Sequence, residues 1–235
     1  LGSSLLVPPE TGGLRPVSAG TQQVEAEVRR HFPTTRVVRW DRDTTRSVED
    51  HEAKLRQFMD HEADVLVGTQ MVAKGLDFAG VTLVGVISAD TGLSLPDFRA
   101  GERAFGLLCQ VAGRAGRGED TGQVIVQTYN PEHYAIQAAA AQNYSALYEY
   151  EINARRDMGS PPFNEMVHVV FQDRNDAQAL RLATETGRAL TQLAEAGGLT
   201  DIEVIGPAPG IPSRIRGRYR WHLTIRGRRL LQLIE

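Results

Sequence analysis

Cysteine is almost missing. The chain holds one, Cys109, inside the apolar run FGLLCQV. A single thiol excludes an internal disulfide and a thiolate metal cage, and its apolar setting predicts a small core residue. The six histidines are scattered, with neither HExxH nor a paired spacing, so they predict no metal site. No apolar run is long enough to span a bilayer, and no N-terminal stretch reads as a signal peptide. A cytoplasmic protein without membrane contact is the expectation. An excess of positive charge is missing too: the formal net charge is -3. No global field draws the chain to nucleic acid, and any such contact needs a local patch. The 235 residues allow a sizeable core and favour two small domains over one. The chain starts at Leu1 without a methionine, which suggests a piece of a longer protein.

The stretch with the most chemistry is Gln110 to Arg117, QVAGRAGR. Arg114 and Arg117 are three apart, each preceded by a glycine, and on a helix that spacing gives one face. The bare glycines let a polyanion approach closely. Arginine offers a planar, permanently charged fork that matches phosphate oxygens and can stabilise a transferring phosphoryl group. A lone GR pair would read as a solvated helix. The preceding Gln110 and a second glycine-and-threonine block upstream weigh against that.

Taken in order, residues 1–20 read as irregular. Thr21 is placed to cap a helix bearing Val24 and Val28, which Pro33 stops. Strands are expected at 36–40, 64–68, 81–88 and 123–128. Helices are expected at 48–60 (apolar stripe Leu55, Phe58, Met59), at 100–108 and from Pro131 to about Asn143. Alternating apolar strands and helices predict an α/β unit with a mostly parallel sheet. Ligands of such sheets bind beyond the carboxyl ends of the strands, where Gly68-Thr69-Gln70 and Ala89-Asp90 stand. Gly159-Ser160-Pro161-Pro162 marks a restart. Beyond it come a strand at 166–172 and a long helix at 176–196, with Leu180, Ala183, Leu190 and Ala194 inward. Gly197-Gly198 ends that helix. Strands at 203–205 and 219–225 complete a small α+β domain, a ferredoxin-like sandwich being one reading.

The second informative block is Gly68 to Phe78, GTQMVAKGLDF. Thr69, just past a strand, offers a hydroxyl and free N–H groups to a phosphate. Gly75 lets the chain pass close to a ligand, and Asp77 can accept hydrogen bonds from sugar hydroxyls. Paired with QVAGRAGR, this block resembles motifs V and VI of superfamily 2 helicases. The strings RDTT, VLVGTQMVAKGLDF, VTLVGV, PDFRAGERAF, QVAGRAGR, QTYNPEH, MGSPPF and GRYRW closely resemble the primosomal replication-restart helicase family, from about Gly12 to Glu235.

That resemblance implies a RecA-like second helicase lobe followed by the α+β domain. Residues 1–20 would be the remnant of a zinc region or linker, 21–145 the lobe with motifs V and VI, and 146–235 a C-terminal domain cut short. It implies a 3′-to-5′ DNA helicase that restarts stalled forks by primosome assembly. Thr69 would touch the DNA backbone and Gly75 and Asp77 the nucleotide. Gln110, Arg114 and Arg117 would reach the ATP phosphates, Arg117 as the finger. ATP and magnesium are the implied cofactors. DNA, single-stranded-DNA-binding protein and primosome proteins are the implied partners. Two departures matter. The phosphate-cradling GxxxxGK[ST] loop and the acidic magnesium motif are absent, so the chain by itself is expected not to hydrolyse ATP. The family's zinc cysteines are absent as well. Pro8 and Thr11 stand in their place, and neither binds zinc.

The third feature is Arg214 to Arg229. Arg214, Arg216, Arg218 and Arg220 alternate, so on one strand they share a face, with Tyr219 and Trp221 opposite. No acid occurs between Val204 and Ile234. A solvated charged face is the bland reading. Phosphate neutralisation and stacking by Trp221 make nucleic acid the sharper one, with an acidic protein tail as the competing ligand. Two rivals for the whole stand beside the motor: a non-catalytic DNA-binding scaffold, and a duplex translocase.

Overall fold

The computed structural model describes residues 20–41, 44–45, 47–73, 80–113, 115, 122–228 and 230. The chain divides into two compact units, Leu1–Leu147 and Tyr148–Glu235.

In the first unit, α1 (Thr21–His31) precedes β1 (Val37–Trp40), α2 (Val48–Met59) and β2 (Val65–Gly68). Strands β1 and β2 pair in parallel, Val37 opposite Val65 and Trp40 opposite Gly68. Val38, Trp40 and Val67 are buried. A capping box starts α2: the Ser47 hydroxyl accepts from the Asp50 N–H, and the Asp50 carboxylate from the Ser47 N–H. The apolar stripe expected on α2 is incomplete, since Met59 is exposed. The expected cap of α1 is also different. Gly20 occupies the cap position and Thr21 is the first helical residue. The Thr21 hydroxyl instead donates across the fold to the Asp41 carboxylate.

The short α3 (Gln70–Ala73) follows β2, and then come β3 (Leu83–Val86), α4 (Asp90–Leu93), α5 (Ala100–Ala112), β4 (Gln123–Val126), α6 (Tyr134–Ala140) and α7 (Tyr144–Asp157). Strands β3 and β4 are parallel. Among the described residues the unit holds two separate two-stranded parallel sheets, not the single sheet expected. Its core lies on one side of β3 and β4. Ala89, Leu108, Ile136 and Ala139 pack there with Val86, Phe105, Cys109 and Val126, as the apolar run around Cys109 predicts. Burying Leu108 and Ile136 contributes about 1.5–3 kcal/mol each. The expected strand at 81–88 shrinks to four residues, and Leu83 and Ile125 remain exposed.

The second unit starts within α7, at Tyr148, and holds β5 (Glu165–Asp173), α8 (Asp176–Ala196), β6 (Glu203–Ile215) and β7 (Arg218–Gly227). All pairings are antiparallel, in the order β5-β7-β6. The inward stripe of α8 is small: Ala179, Ala183, Gly187 and Ala194 are buried. A Cβ on Gly187 would stand 3.4 Å from Leu223, so this helix lies close on the sheet. Among the described residues three antiparallel strands with α8 packed on one face are a split α+β layer, short of a ferredoxin-like sandwich.

Candidate nucleotide and nucleic-acid interface

The end of β2 is built around Gly68. A Cβ there would meet Val72 Cγ2 at 2.2 Å and the Trp40 carbonyl oxygen at 2.8 Å. Only glycine lets α3 turn back this tightly against β1. The turn leaves Thr69 exposed at the strand's carboxyl end, its carbonyl accepting from the Val72 N–H at 3.0 Å. The other residues expected in this block, Gly75 and Asp77, lie outside the described residues.

Next to Gly68, at the end of β1, sits a polar network that sequence reasoning missed. Asp41 is 6% exposed. It accepts from the Thr21 hydroxyl and from the Thr44 N–H at 2.9 Å, and Arg39 Nε stands 3.1 Å away. The Thr45 hydroxyl donates to the Asp41 carbonyl. Burial alone would push the Asp41 carboxyl up; the hydrogen bonds from Thr21 and Thr44 and the Arg39 charge outweigh it and hold the carboxyl below its ordinary range. The D-x-x-T spacing of Asp41 and Thr44 was the available signal, since it is that of an aspartate turn.

Asp90 has a comparable part at the end of β3. It accepts from the Thr128 hydroxyl at 2.8 Å and the Tyr129 N–H at 3.1 Å, and so ties the ends of β3 and β4 together. Ala89-Asp90 stands where the sheet rule predicts a ligand, yet its carboxylate is occupied by the fold.

Gln110 is exposed on the last turn of α5. The helix stops at Ala112, with the Gly113 N–H bonded to the Cys109 carbonyl at 2.9 Å. Arg114 and Arg117, which follow, lie outside the described residues.

In the second unit the arginine run is a hairpin, which corrects the single-strand expectation. Strand β6 ends at Ile215, Arg216 (φ 49°) and Gly217 (φ 78°) form the turn, and β7 starts at Arg218. Two central residues at positive φ are the twist that a tight hairpin needs. The pairing Arg214 opposite Tyr219 and Ile215 opposite Arg218 splits the arginines. Arg214 shares a face with Tyr219, its guanidinium 4.8 Å from the ring centre. Arg218 and Arg220 share the other face, and Arg216 is in the turn. Trp221 lies on the face that carries Leu223 and α8. Its indole N–H donates to Asp176 at 2.8 Å.

The Arg218–Arg220 face also holds His222 and, from β5, His168, with ring centres 4.5 Å apart. Burial, the His168 charge and the Arg220 charge all lower the pKa of His222. Nothing in the spacing of two histidines 54 positions apart announces this pair; the β5–β7 register makes it. Among the described residues no group of three metal-ligating side chains could hold a metal ion. Pro8 and Thr11 lie outside them, and neither has an imidazole or a thiolate, so zinc does not fit that stretch.

The strand-end glycine-threonine turn after β2 and the glutamine at the end of α5, followed in sequence by GRAGR, are the features set beside known proteins. Residues 18–119 match the family model of the helicase conserved C-terminal domain, and 156–235 match that of the primosomal protein N C-terminal domain. The chain is 42% identical over 220 residues to the replication restart protein PriA of Bacillus subtilis, covering 94% of this chain and 27% of that protein. It is 44% identical over 208 residues to that of Synechocystis (88% and 24%) and 40% identical over 207 residues to that of Treponema pallidum (88% and 31%). The chain belongs to the PriA replication restart family, and it spans about a quarter to a third of the length of these relatives.

Proposed function

We propose that the chain is the second motor lobe and C-terminal DNA-binding domain of an ATP-dependent 3′-to-5′ DNA helicase that rebuilds the primosome at stalled forks. The observation that carries the reading is the exposed Thr69 at the end of β2, on a turn that only Gly68 permits. Within the same matched lobe, Gln110 leads into the two motif arginines. The parallel pairs β1–β2 and β3–β4 are read as the two halves of a RecA-like lobe.

Bound ATP with magnesium would supply a phosphoanhydride whose hydrolysis drives the cycle. Gln110, Arg114 and Arg117 fit its phosphates by chemistry: an amide and two guanidinium forks. Gly75 and Asp77 are assigned to the nucleotide beside them. On closure against a preceding lobe, Arg117 would neutralise charge developing on the transferring group. Thr69 would donate to a DNA phosphate oxygen and shift with the lobe. Arg214, Arg216, Arg218 and Arg220 supply phosphate contacts from the second unit. Trp221 serves that surface indirectly, by holding β7 to α8. The acidic tail of single-stranded-DNA-binding protein is the competing ligand of the arginine hairpin.

The test is the complete protein assayed for ATP hydrolysis with and without forked DNA, and for strand separation. DNA-stimulated turnover with unwinding is expected. Turnover without strand separation would make the protein a translocase. No DNA-stimulated turnover would leave a scaffold and sink the motor reading.

A further inference from the structure

The sheet of the second unit has two unlike faces. One carries Leu223 and Ile225, both buried under α8. The register places on the other face Met166, His168, Val170 and Gln172 of β5, Arg218, Arg220, His222, Thr224 and Arg226 of β7, and Glu203, Ile205, Ala208 and Ile215 of β6. Val170, Ile205 and Ile215 are exposed there. A sheet face with small exposed apolar patches, a ring pair at its centre and arginines along one side has the chemistry of a platform for bases.

Resting on the DNA-binding reading above, we propose that the exposed part of this face binds single-stranded DNA, with His168 and His222 stacking on bases and Arg218 and Arg220 neutralising the adjacent phosphates; the Arg226 end is closed by a bond to the Met158 carbonyl at 2.7 Å. The charge distribution selects the occupant. The one carboxylate that the described strands place on this face is Glu203, held by Arg226 at 2.6 Å. Asp173 and Asp176 belong to the opposite face and to the start of α8. An acidic peptide would satisfy the arginines but would leave the histidine rings without a planar partner.

The histidine pair makes the platform sensitive to pH. His222 is faced by Val170 and His168 from β5, by Ala208 from β6, and by Arg220 and Thr224 along its own strand. His168 Nδ1 stands 3.3 Å from the Thr224 hydroxyl. Every charged neighbour is positive, which disfavours the imidazolium while the face is empty. A phosphate reverses that balance, so DNA binding takes up protons and affinity rises as pH falls through the histidine range.

The experiment is fluorescence anisotropy of a labelled oligo-dT with the full chain, at pH 8 and pH 6 and across salt, with circular dichroism on each variant. The wild type should bind more tightly at pH 6. H168A/H222A should lose about tenfold or more in affinity, because each stacked base contributes ~1–3 kcal/mol, and should keep its salt slope. R218A/R220A should lower that slope by roughly one to two units. H168F/H222F keeps the rings and removes the titration. It should bind at pH 8 like wild type, show no gain at pH 6, and stand in if the alanine variant misfolds. A folded H168A/H222A, or H168F/H222F in its place, that matches wild type at both pH values overturns the platform while leaving DNA binding elsewhere on the chain intact. A wild-type chain that binds no oligo-dT at low salt overturns both the platform and the DNA-binding reading.

Discussion

Single residues decide whether the strand-end site exists. Gly68 is the clearest case, because one of the two atoms blocking a Cβ is backbone. Gly68→Ala should destabilise the protein by about 1–3 kcal/mol, as overpacking does. Adding Val72→Ala should recover only part of that, since the Trp40 carbonyl stays at 2.8 Å. Urea unfolding of the single and double variants checks this, and full recovery would mean the backbone contact is harmless. Arg117 is proposed to act on chemistry instead. In the complete protein, Arg117→Ala should cut DNA-stimulated ATP hydrolysis ~100-fold or more with nucleotide binding little changed; an unchanged turnover rate in a folded variant refutes the finger role. Asp64 gives an acid signature. Three hydrogen bonds from Arg36, two from its guanidinium and one from its backbone N–H, hold the Asp64 carboxyl at about 2, against 3.8 for a free aspartate. A depressed carboxyl contributes stability that is complete above its unfolded value and is lost as pH falls through the folded one. The loss therefore falls between about pH 4 and pH 2. The pair is exposed, so it is small and fades with salt. Melting temperature against pH should show a shallower acid limb in Asp64→Asn than in wild type.

Elements show how far local sequence reaches. The bounds of α8 coincide with the expectation because an apolar period, a starting Asn-Asp and a terminal Gly-Gly all agree. The face of α8 was only half legible. Ala179 and Gly187 carry as much of the contact as Ala183, and their role depends on how closely the sheet approaches. The hairpin at Arg216-Gly217 was read as continuous strand, because RIRGRYR alternates perfectly and a turn with Arg at positive φ is uncommon. Pairing with β5 and β6 decides it, and no local pattern encodes that. The hairpin register places Trp221 on the α8 face, away from Arg218 and Arg220. Its indole is tied to the first turn of α8, so Trp221→Ala should lower the stability of the second unit. Trp221→Phe, which keeps the ring and loses the bond to Asp176, should cost about 1 kcal/mol and leave the affinity for DNA unchanged. A folded Trp221→Phe variant with more than tenfold weaker DNA binding would return the residue to the contact surface.

At the scale of the whole molecule, sequence carried the family and the positions of the motifs further than it carried the geometry. GTQMVAKGLDF and QVAGRAGR are strings whose residue types suit phosphate contacts, so they stand out. The Asp41 and Asp90 networks hold the strand ends in place using residues common in any turn, and they emerge only once β1 meets α1 and β3 meets β4. The expectation for the isolated chain follows from what its cleft lacks. Phosphate-cradling glycines, the accompanying lysine and an acidic magnesium motif do not occur in these 235 residues. An arginine finger stabilises charge that other groups must first create. The chain alone should therefore show no ATP hydrolysis above background, with or without DNA. Under the proposed two-lobe mechanism the complete protein should show turnover, and Arg117→Ala should remove it. The decisive measurement is phosphate release by the purified chain at saturating ATP. Robust release that disappears in Arg117→Ala would mean that this lobe assembles a complete site by itself, and the two-lobe mechanism would fall.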